Sequence, residues 1–149
     1  MSKRRFPPGI SLVLGHVLGI VFGLVHHTAS AEVLVVVSAD APFTRLTSHD
    51  LKDIYLGRRS QLGSGIDIVP LDQVEGTAAR SEFYTHYTGQ TPAQIKAHWA
   101  RQIFTGRGQP PQALANSREV VERLANDTNA LGYIDPSSLD DRLRVLTVE

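Results

Sequence analysis

The stretch Val69 to Thr77, Val-Pro-Leu-Asp-Gln-Val-Glu-Gly-Thr, runs a strand pattern into a glycine turn and then a helix start. Free backbone N–H groups and the positive end of a helix dipole make such a turn a nest for anions. Gly76 lets an oxyanion approach the backbone, and the Thr77 hydroxyl adds a donor. Arg80, one turn into the helix, is placed to add a charge-assisted bond. The competing reading makes Thr77 a simple N-cap and Arg80 a solvated surface residue. Glu75 opposes the anion, because a carboxylate beside the nest repels it.

Other chemistry has less support. After residue 31 the histidines are His49, His86 and His98, on different expected helices and without the i, i+4 spacing of a zinc helix. There is no cysteine, hence no thiolate site, no cysteine nucleophile and no disulfide framework. No Gly-x-Ser-x-Gly elbow is present. The expectation is a non-enzyme with neither metal nor cofactor. Arg58-Arg59 reads as a solvated loop or a dock for an acidic partner.

An alternation of strands and helices would position these residues. Val33 to Val37 is a continuous apolar run, the pattern of a strand buried on both faces in a parallel sheet. Thr47 to Asp50 reads as a capping box ahead of Leu51, Ile54 and Tyr55, and Gly57 ends that helix. A strand over Asp67–Leu71 carries Pro70, which marks a strand end or an edge. Ala79, Phe83 and Tyr87 give the next helix one apolar face, stopped by Gly89. Thr91-Pro92 opens a third helix with Ile95, Trp99 and Ile103 inward. Residues Gly106 to Pro111 form a loop. Asn116 to Asp127 is a fourth helix burying Val120, Val121 and Leu124, and Leu131–Ile134 and Leu143–Val148 are strands. Such alternation predicts an α/β domain, its mostly parallel or mixed sheet flanked by helices. Ser38 follows the first buried strand and is expected at the carboxyl edge of the sheet beside Gly76, where open α/β folds hold ligands.

The 149 residues divide unequally. Lys3, Arg4 and Arg5 precede an apolar run from Ile10 to Val25 and then Ala29-Ser30-Ala31. This is the pattern of a secretory signal peptide over residues 1–31, with an uncleaved anchor as the rival. Its removal takes three of the fifteen basic residues and none of the fifteen acidic ones, leaving a net charge of −3. A mildly acidic chain gives no electrostatic support to a nucleic-acid partner. Residues 32–149 are long enough for one domain with its own core. An exported chain without disulfides suits a bacterial periplasm.

Three segments together resemble the phosphate-binding branch of the periplasmic solute-binding proteins, the substrate-binding component of phosphate ABC transporters. Leu46-Thr47 through Leu51, Ile54, Tyr55 and Gly57 is similar to that family's L-T-x-x-x-L-x-x-I-F-x-G helix. Val69 through Gly76-Thr77 to Phe83 resembles its strand, Ser-Gly-Thr turn and helix. Ala130-Leu131-Gly132-Tyr133-Ile134 resembles its A-I-G-Y-V strand, and Phe104 to Pro111 a loop of short proteins of this kind. The resemblance implies a single periplasmic-binding-protein-like (type II) lobe that binds phosphate or a related oxyanion through Gly76, Thr77, Arg80 and Ser38. It also implies work in phosphate transport or sensing. The family has two lobes, and only the second is matched. Glu75 stands where the family has Ser, and Leu71-Asp72 where it has an arginine. These departures imply the alternative of a ligand-free accessory module docking a membrane transporter or sensor. A homodimer that rebuilds the cleft is a further expectation.

Overall fold

The computed structural model describes residues 32–63 and 65–149, so the expected signal segment lies outside the described residues. Strand β1 (Leu34–Ser38) leads through the two-residue β2 (Arg45–Leu46) into α1 (Ser48–Tyr55). β3 (Val69–Gln73), α2 (Ala78–Phe83) and a π-helical turn (Tyr84–Thr88) follow, then α3 (Pro92–Phe104) and β4 (Gln112–Leu114). The chain ends with α4 (Ser117–Ala125), β5 (Ala130–Ile134), a short 3-10 turn, β6 (Leu143–Val145) and β7 (Thr147–Val148).

The main sheet runs β4-β3-β5-β1-β6 and is mixed. β3 is parallel to both β4 and β5, whereas β1 is antiparallel to both β5 and β6. The apolar run at β1 is buried on both faces as expected, but it reports a central position and not a parallel one. Val35 and Val37 join a core with α1, α2 and α3, while Val36 faces the core built on α4. Helices therefore cover both faces of the sheet, and a continuous apolar run is what two covered faces require.

Capping follows the local sequence closely. Thr47, Thr77, Thr91 and Asn116 each accept the backbone N–H three residues on. Thr91 and Gln94 complete a reciprocal capping box with Pro92 in the first turn. At α1 only the Thr47 half of the expected box forms, because the Asp50 carboxylate binds Arg59 instead.

Some elements differ from the sequence pattern. β4 was hidden because Gln-Ala-Leu has neither β-branching nor alternation; its partner β3 supplies the register. Pro70 sits in an interior strand, yet β4 pairs only from Leu71 onward, so at Pro70 the strand is locally an edge. The final strand breaks at buried Leu146, whose N–H bonds Val35 O, and β7 crosses to pair with β2. Ile103, expected inward, is 49% exposed. Among the described residues no helix is long and apolar enough to cross a membrane.

Candidate functional site

Leu71, Asp72 and Gln73 at the carboxyl end of β3 are all buried. A carboxylate at such a place demands partners, because an isolated buried charge is very costly. Asp72 has four. Oδ2 accepts from Arg80 Nε at 3.2 Å and from the Tyr84 hydroxyl at 2.8 Å. Oδ1 accepts from the Gln73 N–H at 2.8 Å and from the Tyr133 hydroxyl. Arg80 and Tyr84 lie four residues apart, hence on one helical face, and the guanidinium sits 5.0 Å over the Tyr84 ring.

The network extends across the sheet edge. The Gln73 amide donates to Ser117 Oγ at 3.2 Å and to Tyr133 O at 3.1 Å. Ser117 Oγ in turn donates to Asp135 at 2.9 Å. Below it, Tyr55 donates its hydroxyl to Leu71 O, tying α1 to β3. Phe83 stacks on Tyr133 with ring centroids 4.1 Å apart. Burial first, and then the Asp72 charge, push the hydroxyl pKa values of Tyr55, Tyr84 and Tyr133 well above the ordinary range. All three stay neutral donors at any physiological pH.

Against this frame the sequence-derived site residues separate. Gly76 has φ +93°, a left-handed conformation that glycine adopts freely, and open space where a Cβ would stand. The Thr77 hydroxyl is already engaged: it caps Arg80 N–H and donates to Val74 O. Its competing reading as an N-cap is thus correct for the side chain. Arg80 is no solvated surface residue; its side chain is 8% exposed. Glu75 is held by Lys96 at 3.3 Å, which offsets part of its repulsion.

Ser38 is not brought to this edge. Because β1 is antiparallel to β5, Ser38 lies beside the start of β5, at the sheet end opposite Gly76. There its hydroxyl accepts the Asp40 N–H. The expectation of a shared carboxyl edge assumed a parallel β1, and the reversed strand removes it.

Only Nε of Arg80 is spent on Asp72. Among the described residues its two terminal nitrogens hold no hydrogen bond. Arg80 lines a cleft of about 320 Å³ together with Asp72, Glu75, Lys96, Trp99 and Ile103. Among the described residues the buried Trp99 indole nitrogen has no partner at hydrogen-bond geometry. The cleft presents the Arg80 guanidinium and the Lys96 ammonium beside two carboxylates, Asp72 and Glu75, and Gly76 and Thr77 are not among its lining residues. Among the described residues no group of three or more His, Cys, Asp or Glu is placed to hold a metal ion.

Sequence reasoning missed Asp72, Tyr84, Tyr133 and Gln73. The available signal was Asp72 itself, a charge inside an otherwise apolar strand with an arginine eight residues on.

No protein-family model matches the chain, and no curated protein matches it. Solved structures do. An ABC-type phosphate transport receptor from Vibrio cholerae superposes with a TM-score of 0.62 at 16% identity, over 78% of this chain and 46% of that one. A putative phosphate ABC transporter substrate-binding protein from Clostridium perfringens, with bound phosphate, gives 0.60 at 20% identity, over 78% and 44%. PstS from Borrelia burgdorferi gives 0.60 at 15% identity, over 79% and 47%. At such identities the likeness establishes the fold, a mixed α/β lobe of the periplasmic-binding-protein kind. The chain spans less than half the length of the proteins it matches.

Proposed function

We propose that this chain is an exported, single-lobe solute-binding domain that binds phosphate or a related small oxyanion in phosphate transport or sensing. The segment 1–31 serves as its export signal, cut after Ala31, and the periplasm as its compartment. The observation that carries the reading is Arg80: a buried guanidinium with one nitrogen anchored on Asp72 and two left over beside a cleft. Arg80 is the charged ligand group, and the backbone N–H groups after Gly76 complete the nest. The Thr77 hydroxyl and its own N–H, both bonded to Val74 O, hold the turn.

A second reading is favoured by a specific observation. Asp72 already gives Arg80 a permanent internal counter-ion, and Glu75 adds a second carboxylate beside the turn. On that reading the chain is a ligand-free accessory module for a membrane transporter or sensor. Titration calorimetry of the exported protein with phosphate and sulfate separates the two. Saturable heat supports the binding domain, and silence at about millimolar anion selects the module. Glu75→Ser removes a charge near the turn and restores a hydroxyl. Two charges about 4 Å apart at an effective dielectric near 20 interact by roughly 4 kcal/mol, less once solvent screens them. The variant should therefore bind phosphate at least about tenfold tighter.

A further inference from the structure

The apolar stripe of α3 does not stay in the core. Ile95 and Trp99 are buried, whereas half of Ile103 is open. Lys96, Trp99, Ala100 and Ile103, spaced i, i+3, i+4 and i+7, share one helix face, and all four line the cleft of about 320 Å³ beside Arg80. Seven residues of α-helix rise about 10 Å, so this wall passes from an ammonium to a branched aliphatic side chain over that distance. Pro110, Pro111 and Ala113 continue the apolar surface on the segment leading into β4. Ala100 and Ala113 are small and exposed, which keeps the cleft open. The cleft meets β3 at its last two residues, Asp72 and Gln73, the strand end where open α/β sheets hold ligands. Its volume falls at the lower end of the range for small-molecule sites, roughly 300–1,000 Å³.

Two cations and two carboxylates line the cleft and pair with each other, Arg80 with Asp72 and Lys96 with Glu75. The cleft is therefore electrically neutral. Pairing does not exhaust its hydrogen-bonding groups. Arg80 spends only Nε, Lys96 donates one of its three ammonium hydrogens, and Glu75 accepts through Oε2. Among the described residues Glu75 Oε1 and the terminal nitrogens of Arg80 hold no hydrogen bond. Asp72, by contrast, has both oxygens doubly engaged. The Lys96–Glu75 pair is exposed, with 71% and 58% of the two side chains open to solvent, so rearranging it costs little. The cleft thus keeps spare donors and a spare acceptor, each on a charged group, next to an apolar wall.

We propose that the cleft binds a small zwitterion with an apolar side chain, of the class of the free aliphatic α-amino acids. Its carboxylate bonds the terminal nitrogens of Arg80 and Lys96 Nζ, its ammonium bonds Glu75, and its side chain lies along Trp99, Ile103 and the two prolines. Neutrality selects such a ligand. A bare dianion meets Asp72 and Glu75 and brings nothing to compensate them, and a bare cation meets Arg80 and Lys96 in the same way. Charge-assisted bonds of both signs favour it over a neutral sugar, whose hydroxyls would also be pressed against the apolar wall without partners. Arg80 is here the charged ligand group of the oxyanion reading, on which this site rests, and the anion is one end of a larger molecule.

Calorimetry of the exported protein with L-leucine, N-acetyl-L-leucine, L-leucinamide and phosphate tests this. L-Leucine should saturate at about millimolar concentration or below and shift the emission of Trp99, the only tryptophan in the chain. N-Acetyl-L-leucine lacks the ammonium and L-leucinamide the carboxylate, so each should bind at least about tenfold more weakly. Glu75→Ser moves the two kinds of ligand in opposite directions: leucine loses the partner of its ammonium and should weaken about tenfold, whereas bound phosphate should tighten. Ala100→Phe places a ring in the cleft and leaves every charge in place, and leucine affinity should again drop at least about tenfold. Glu75 and Ala100 are exposed, so circular dichroism melts of both variants should match the wild type. Equal binding of leucine and its N-acetyl derivative, or leucine binding indifferent to Ala100→Phe, would overturn the proposal. Phosphate binding without leucine binding would overturn it and leave the oxyanion reading standing. Silence toward all four ligands would remove both.

Discussion

Asp72 is a carboxylate inside a strand, and everything around it is arranged as a donor. Four hydrogen bonds converge on it, one of them from a guanidinium. Removing one member of a buried ion pair costs about 3–5 kcal/mol, mostly from the charge left behind. Asp72→Ala should therefore destabilise by about that amount, a large share of the roughly 5–15 kcal/mol a domain holds. Asp72→Leu combined with Arg80→Met should cost less than the two single changes added, because no orphan charge remains. Urea titrations of the four proteins measure the coupling, and strict additivity would mean the pair does not interact. Asp72→Asn tests function at the same residue. It frees Arg80 of its counter-ion, so an oxyanion held at Arg80 should bind about tenfold tighter in that variant. An unchanged or weaker phosphate affinity would put the anion, if any, elsewhere.

At the scale of elements, two close approaches fix how helices sit on the sheet. Gly132 in β5 lies under α4: a Cβ there would stand 2.7 Å from Val120 Cγ1 and 3.2 Å from Leu124 Cδ1. Gly132→Ala should cost about 1–3 kcal/mol through overpacking. Val120→Ala in the same chain should recover part of that by vacating the space, and failure of this rescue in a melt would show that the contact is not limiting. Trp99 packs the other face. A Cβ on Gly57, whose φ is +69°, would fall 2.7 Å from the Trp99 ring. Truncation, Trp99→Ala, should destabilise by roughly 3–5 kcal/mol, and a loss below about 1 kcal/mol in urea would contradict the burial. Helix positions were legible in the sequence because threonine and asparagine caps and 3.6-residue stripes are local signals. Strand direction was not: an apolar run such as Val33 to Val37 reports burial on two faces and nothing about its neighbours' polarity. That is why Ser38 was expected at the wrong sheet end. Arg80 and Gly76 were legible as a turn with a cation. Their partner Asp72 was not, since pairing between β3 and α2 across a sheet edge has no local spacing rule.

For the whole molecule, the four tyrosines make alkaline stability a global readout. Each has its hydroxyl pKa raised: Tyr55, Tyr84 and Tyr133 by burial foremost and by the Asp72 charge, and Tyr87 by burial with Glu32 and Glu82. The unfolded chain releases these protons near pH 10, the ordinary tyrosine value. The folded chain holds them to higher pH. Above about pH 10 the unfolded state therefore binds fewer protons than the native one, and stability falls as pH rises. Below that value the contribution is fully present and flat. Because Tyr55 ties α1 to the backbone of β3 and β5, and Tyr84 and Tyr133 tie the π-helical turn and β5 to Asp72 of β3, their ionisation cannot proceed singly without breaking the core. Tyrosinate absorbance near 295 nm should stay low for these three past pH 10 and then rise together with the loss of far-ultraviolet circular dichroism. Tyr133→Phe should remove one tyrosinate equivalent and flatten the decline of stability with pH, while orphaning one Asp72 lone pair at neutral pH. Smooth titration of all four hydroxyls near pH 10 with helicity intact would show that the Asp72 cluster is open to solvent, and the reading of Arg80 as a buried, half-spent cation would go with it.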